Sequence, residues 1–267
     1  MALYDPDAFE MEEYSGIGLF EPGSVIEREV DWNLLFHVLI LTGVAFGITI
    51  GLTILLMVPL IGAGLIQVNL ATGNIWLDPI AIIVITLAEV GFVLPPIWYV
   101  RKNGYTLASL GLKRMKSLKE VAMGLGIGIA MLMANLIVTL IIGFLYDAPV
   151  EGEGFFLVTS ALEALVWIVL MFLVVGFSEE LLFRGFLQRR MEMYFTNRKS
   201  SPGLYALIIT SFIFAAIHLD LIGLPTRFIL GLFLGYLAQK RNYSIMAPTV
   251  AHGFNNAAVV VLAFLGF

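Results

Sequence analysis

The chain has 267 residues, 60% of them apolar and 13% charged, with a mean hydropathy of +0.94. A soluble chain is nearer half apolar and a quarter charged, so this composition excludes a water-soluble enzyme. The net charge of −5 excludes a nucleic-acid binder, and the absence of cysteine excludes disulfides, a thiol nucleophile and a cysteine-based zinc site.

The first 31 residues hold nine acids and one base, Arg28. They lack the basic start of a secretory signal and read as an acidic cytoplasmic tail, residues 1–31. A single membrane domain, residues 32–267, follows. A helix crosses the hydrocarbon with about 20 apolar residues, and the sequence offers candidate spans at 34–60, 79–100, 121–144, 157–177, 204–217, 227–237 and 245–267. Pro59, Gly62 and Gly64 end or bend the first. The expectation is an all-α polytopic transmembrane helical bundle of seven spans. An eighth would need a second hairpin, around 61–78. Barrel strands would alternate in polarity instead.

The basic residues agree with seven. Segments 1–33, 101–120, 184–203 and 239–244 carry fourteen of the fifteen Lys and Arg residues, and the opposite segments carry only Arg227. Basic loops stay cytoplasmic, so the N-terminus is expected inside and the C-terminus outside. Trp32, Trp98, Tyr99 and Tyr243 would flank the inner boundary, Trp76 and Tyr146 the outer. Small residues at four-residue spacing, Gly43/Gly47/Gly51, Gly124/Gly128 and Gly231/Gly235, would let helices approach closely. Met123, Met131 and Met133 read as core.

Ionisable groups inside an apolar bundle cost ~3 kcal/mol or more each. They are Glu89, Glu163, Glu179, Glu180, Arg184, His218, Asp220 and His252, and all but Glu89 lie beyond residue 160. That asymmetry points to one site in the C-terminal half. Glu180 and His218 are each 19 residues from Lys199, in a turn rich in Ser, Asn, Pro and Gly. An antiparallel helix pair around that turn brings Glu179, Glu180 and His218 to one depth, with the fourth helix running on to about Tyr194. His252 and Asn256, four apart, share one helical face. Glu180 and Arg184 have the spacing of an ion pair, Phe214 that of a packing surface under His218. Glu89, near Thr86, reads as structural or paired, while Glu163 and Asp220 read as solvated near the outer boundary and His37 as interfacial.

These residues carry a family pattern. Glu179-Glu180-Leu181-Leu182-Phe183-Arg184 resembles the E-E-x-x-x-R motif of the CAAX-protease and bacteriocin-processing intramembrane endopeptidases (CPBP, or Abi). Phe214 to His218 is similar to their F-x-x-x-H, and His252 to Asn256 to their H-x-x-x-N. The glycine-bearing run from Phe228 to Gly235 resembles the helix between them. The likeness covers about 157–261.

The resemblance implies an intramembrane peptidase of the type II CAAX prenyl endopeptidase kind, with a cavity open to the cytoplasm. It would act on a membrane-associated or lipidated substrate, prenylated in eukaryotic relatives. Carried over, Glu179 is a general base acting on water, His218 holds that water, and His252 and Asn256 stabilise the oxyanion. Glu180 and Arg184 support them. Two mechanisms stay open: a metal-free one, favoured because no His-Glu-x-x-His is present, and a metalloprotease in which Glu179, His218 and His252 hold Zn²⁺. Two further functions are also compatible with these residues, a non-catalytic membrane scaffold of the same family and a proton-coupled transporter using Glu89, Glu179 and the histidines.

Overall fold

Seven apolar stretches of the sequence become seven helices in the computed structural model, which describes residues 34–69, 72–112, 117–146, 158–196 and 198–266. The acidic tail and Trp32 lie outside the described residues, as does the side chain of Tyr146. Helix α1 is Leu34–Gly62, and β1 (Ile66–Val68) and β2 (Ile75–Leu77) follow it. Next come α2 (Pro79–Lys102), α3 (Ser117–Tyr146) and α4 (Ala161–Thr196). The last three are α5 (Pro202–Ala216), α6 (Leu224–Lys240) and α7 (Met246–Leu265). Five of them, α1 to α4 and α7, are long and apolar enough to cross a membrane. With the outward apolar faces of α1 and α3 (Ile40, Ile54 and Leu55; Ile137, Leu140 and Ile141), this is an integral membrane protein. The segment offered for an eighth span is an antiparallel ribbon instead, with Gln67 opposite Trp76. Gly64, at φ 75°, turns the chain into it.

Local chemistry sets the irregular turns that matter for the site. Asp78 caps α2, accepting from the Ile80 N–H at 2.9 Å, with Pro79 in the first turn. Further along, Pro95 and Pro96 lack N–H groups, so the carbonyls of Gly91 and Phe92 lose their ordinary helical partners. The helix tightens to 3₁₀ geometry just before them, over Leu87–Val93. Helix α4 begins with Ser160 accepting from the Glu163 N–H, while the Glu163 carboxylate reaches back to Thr159. It then widens twice into π-helix, over Met171–Gly176 and Leu181–Gln188. One ordinary turn, Phe177–Glu180, lies between them. Such wide turns re-aim side chains and cluster at functional sites.

The core is built around that second wide stretch. Leu181, Leu182, Phe183, Phe186 and Leu187 are fully buried against Val38 of α1, Val100 of α2, Phe214 of α5 and Ile245. Arg189 and Arg190 are also buried, donating to the carbonyls of Ala108 (3.0 Å) and Ser109 (3.5 Å) in the turn Leu107–Leu110. Arg241 pairs with Glu120, and the Ile245 N–H donates to the Gly111 carbonyl. Three segments assigned by charge to one side of the membrane thus meet one another. The guanidinium groups of Arg184, Arg189 and Arg190, however, are core rather than loop charge. Tyr243 is likewise not a boundary residue: it is buried, donating to Glu192.

The glycine stripes divide. A Cβ on Gly124 would meet Val250 at 2.6 Å, one on Gly128 would meet Phe254 at 2.9 Å, and one on Gly231 would meet Ser211 at 2.9 Å. These are true close approaches. Gly43, Gly47 and Gly51 have nothing within 4 Å and face outward, so that stripe makes no contact; on α2 it is Gly91 that packs against Thr49 of α1. Of the three methionines, Met131 is buried and Met123 packs beside it, but Met133 is 57% exposed. Two substitutions separate these environments. Gly253→Ala puts a methyl 2.5 Å from the Phe172 ring and 2.9 Å from its Cα, and is expected to cost ~1–3 kcal/mol. Gly47→Ala meets nothing and is expected to gain up to ~1 kcal/mol from helix propensity. Thermal unfolding in detergent checks both, and equal shifts would contradict the packing.

Candidate active site

The single turn Phe177–Glu180 gives the two glutamates different surroundings. Glu180 is fully buried; its Oε1 accepts from His252 Nδ1 at 2.9 Å and forms an ion pair with Arg184, 3.2 Å from Nη1. The expected ion pair is therefore present within α4 and extends through His252 to a second helix, α7. Arg184 in turn donates to the Gly231 carbonyl of α6 at 3.4 Å and lies 4.5 Å from the centre of the Phe214 ring. The glycine at 231 is what lets α6 come close enough to α5, across Ser211, to present that carbonyl.

Glu179 points elsewhere. It is 6% exposed, and its Oε2 is buried with no hydrogen-bond partner. Its electrostatic neighbours are His252, Glu89, Glu180 and Arg184. Buried carboxylate oxygens left without a donor are costly, and Glu180 Oε2 and Glu89 Oε2 lack one as well, so this group of carboxylates is kept for something other than stability.

The two histidines are held in defined tautomers. A carboxylate and a carbonyl only accept, so His252 donates from Nδ1 to Glu180, and His218 donates from Nδ1 to the Phe214 carbonyl at 2.8 Å. In both rings Nδ1 is thereby committed, and Nε2 is the nitrogen left for chemistry. Phe214 lies between them, edge-on to His218 at 5.3 Å and to His252 at 5.9 Å between ring centres. It is the packing surface expected under His218, and it serves His252 and Arg184 as well. His218 is the exposed end of the group, just past the end of α5. On α7, buried Asn255 donates through Nδ2 to Asn256 Oδ1 at 3.3 Å, leaving the Asn256 amide N–H groups free to donate.

The predicted residues thus come together on α4, the end of α5 and α7, with one exception: no hydrogen bond joins Glu179 to His218 among the described residues, and the two are connected only across Phe214 and His252. Nor do three or more carboxylate or imidazole groups gather as a metal site among those residues. Glu179, His218 and His252 are not gathered as a zinc-ligating set. The loop after His218 is pinned by Asp220, which accepts from the Ile222 and Gly223 N–H groups and pairs with Arg227. The Arg227 hydrogen bond, with help from the Gly223 N–H, holds the Asp220 carboxyl below its ordinary range. Asp220 is therefore a loop anchor.

One residue beside the site was expected there only on the transporter reading. Glu89 sits on the 3₁₀ stretch of α2, which packs against Phe177–Glu180. Thr86 does not pair with it, since its hydroxyl donates to the Ile82 carbonyl. The signal available in sequence was its cost alone, a carboxylate in the middle of a span with no basic residue near it.

Residues 161–258 match the family described as Type II CAAX prenyl endopeptidase Rce1-like. Comparison with curated proteins and with solved structures returns no match.

Proposed function

We propose, because residues 161–258 match the Rce1-like type II CAAX prenyl endopeptidase family, that the chain is an intramembrane peptidase that hydrolyses a peptide bond in a lipidated or membrane-associated substrate. The observation that carries this reading is the unpartnered, buried Oε2 of Glu179 beside a histidine fixed by a second carboxylate.

Glu179 Oε2 accepts a proton from water, whose oxygen bonds to the substrate carbonyl carbon. A carboxylate shielded from bulk water is a stronger base than one in solution. His218, with Nδ1–H committed to a backbone carbonyl, presents Nε2 as an acceptor for the second O–H of that water. Asn256 donates from its amide to the oxygen that gains negative charge. His252 donates to the same oxygen from Nε2 when its ring carries both protons, the form whose charge Glu180 balances. Arg184 and Glu180 act through His252 by fixing its ring.

The inside orientation expected from the basic segments 1–33, 101–120, 184–203 and 239–244 favours a site reached from the cytoplasmic face.

The test is a cleavage assay of the wild-type protein in liposomes, on peptides ending in a prenylated cysteine plus three residues and on their unmodified counterparts. Release of the last three residues, seen by mass spectrometry, is the expected result. A folded protein that cleaves neither peptide would overturn the proposal in favour of a non-catalytic scaffold.

A further inference from the structure

Breaking an amide takes two proton movements, one away from water and one onto the departing nitrogen. Glu179 accounts for the first. Of the carboxylates around it, Glu180 already holds Arg184 and His252 through Oε1. The other is Glu89, on the facing 3₁₀ stretch Leu87–Val93 of α2. Its Oε2 is buried and, like Glu179 Oε2, has no hydrogen-bond partner. The two carboxylates are electrostatic neighbours, and no Lys or Arg lies between Arg28 and Arg101 to neutralise Glu89 from its own helix or from α1. The charged groups on the α4 and α7 surfaces around the pair are Glu180, Arg184 and His252, and these are engaged with one another. Two like charges near one another and away from bulk water repel, so such a pair is suited to hold one acid beside one base.

Resting on the peptidase reading, we propose that Glu89 is a further catalytic residue: the general acid that protonates the leaving amine while Glu179 serves as base. Water forms its bond to the carbonyl carbon as Glu179 takes one of its protons. The C–N bond then breaks as Glu89 transfers its proton to the nitrogen, giving a carboxylic acid and an amine. Passage of the proton from Glu179 to Glu89 restores the starting pair, so no further reactant is consumed. The assignment places half of the proton chemistry on α2, outside the residues 161–258 that match the family.

The test compares a cleavable peptide with its thioester analogue, in which sulfur replaces the scissile nitrogen. A thiolate departs without needing a proton, its conjugate acid having a pKa near ~8.5. Glu89→Gln is expected to lower amide cleavage by ~10²-fold or more while thioester cleavage stays near the wild-type rate. Glu179→Gln loses both, and Glu89→Asp, which keeps an acid, recovers part of the amide cleavage. Glu89→Gln cleaving the amide like wild type, or losing both substrates equally with an unchanged melting temperature, would overturn the assignment and leave Glu179 as base intact. Wild type cleaving neither substrate would overturn the peptidase reading and this assignment together.

Discussion

Glu179→Gln is expected to lower kcat/KM for peptide cleavage by ~10²–10⁴-fold, the range that a positioned general base contributes. Glutamine keeps the shape and the burial but cannot accept the proton of an attacking water. The same change should leave the protein folded and raise its melting temperature. The wild-type Oε2 is buried without a donor, and an uncompensated charge is the costlier group to keep from water. Activity and stability moving in opposite directions is the signature of a residue kept for chemistry. Paired rates and melting curves on the purified variant check it. An active Glu179→Gln protein would move the base to another residue.

Arg184→Met is expected to produce the largest loss of stability. Arg184 and Glu180 are both fully buried and 3.2 Å apart. Removing one member of such a pair leaves the other charge stranded and costs ~3–5 kcal/mol. Arg184→Lys should recover only part of this, because an ammonium cannot hold Glu180, reach the Gly231 carbonyl and stack on Phe214 together. The double substitution Glu180→Leu with Arg184→Met removes both charges and should restore most of the stability. It should not restore cleavage, since His252 then has no carboxylate at Nδ1. Thermal unfolding of the two single variants and the double variant, with cleavage rates beside them, gives the coupling directly. An Arg184→Met protein that melts like wild type would show that the pair is not buried as described.

These two residues were legible in the sequence because their relations are local. A spacing of four fixes Glu180 over Arg184, and His252 over Asn256, whatever the rest of the chain does. The antiparallel arrangement around the turn before Pro202 placed Phe214 and His218 near the same depth. Relations between distant helices left no such mark. Nothing near Glu89 says that the 3₁₀ stretch before Pro95 faces Glu179, because that depends on how α2 packs on α4. The stripe Gly43/Gly47/Gly51 and the working one Gly124/Gly128 look alike in sequence, and only a neighbour within reach distinguishes them. Tyr243 reads as an interfacial aromatic until Glu192, 51 residues away, is found at its hydroxyl. Arg189 and Arg190 read as loop charge because their acceptors are backbone carbonyls, which every residue carries.

Those two arginines also set an order of events. The carbonyls that they hold, at Ala108 and Ser109, precede them by 81 residues. In a chain synthesised from its N-terminus, the turn between the second and third helices meets its guanidinium partners only after the third helix and most of the fourth have emerged. Until then those peptide groups must stay hydrated, and the early helices are inserted without the fastening that joins them to the rest. Completion of the N-terminal half is therefore a late step of biogenesis, timed by a pair of residues that belong to the C-terminal half.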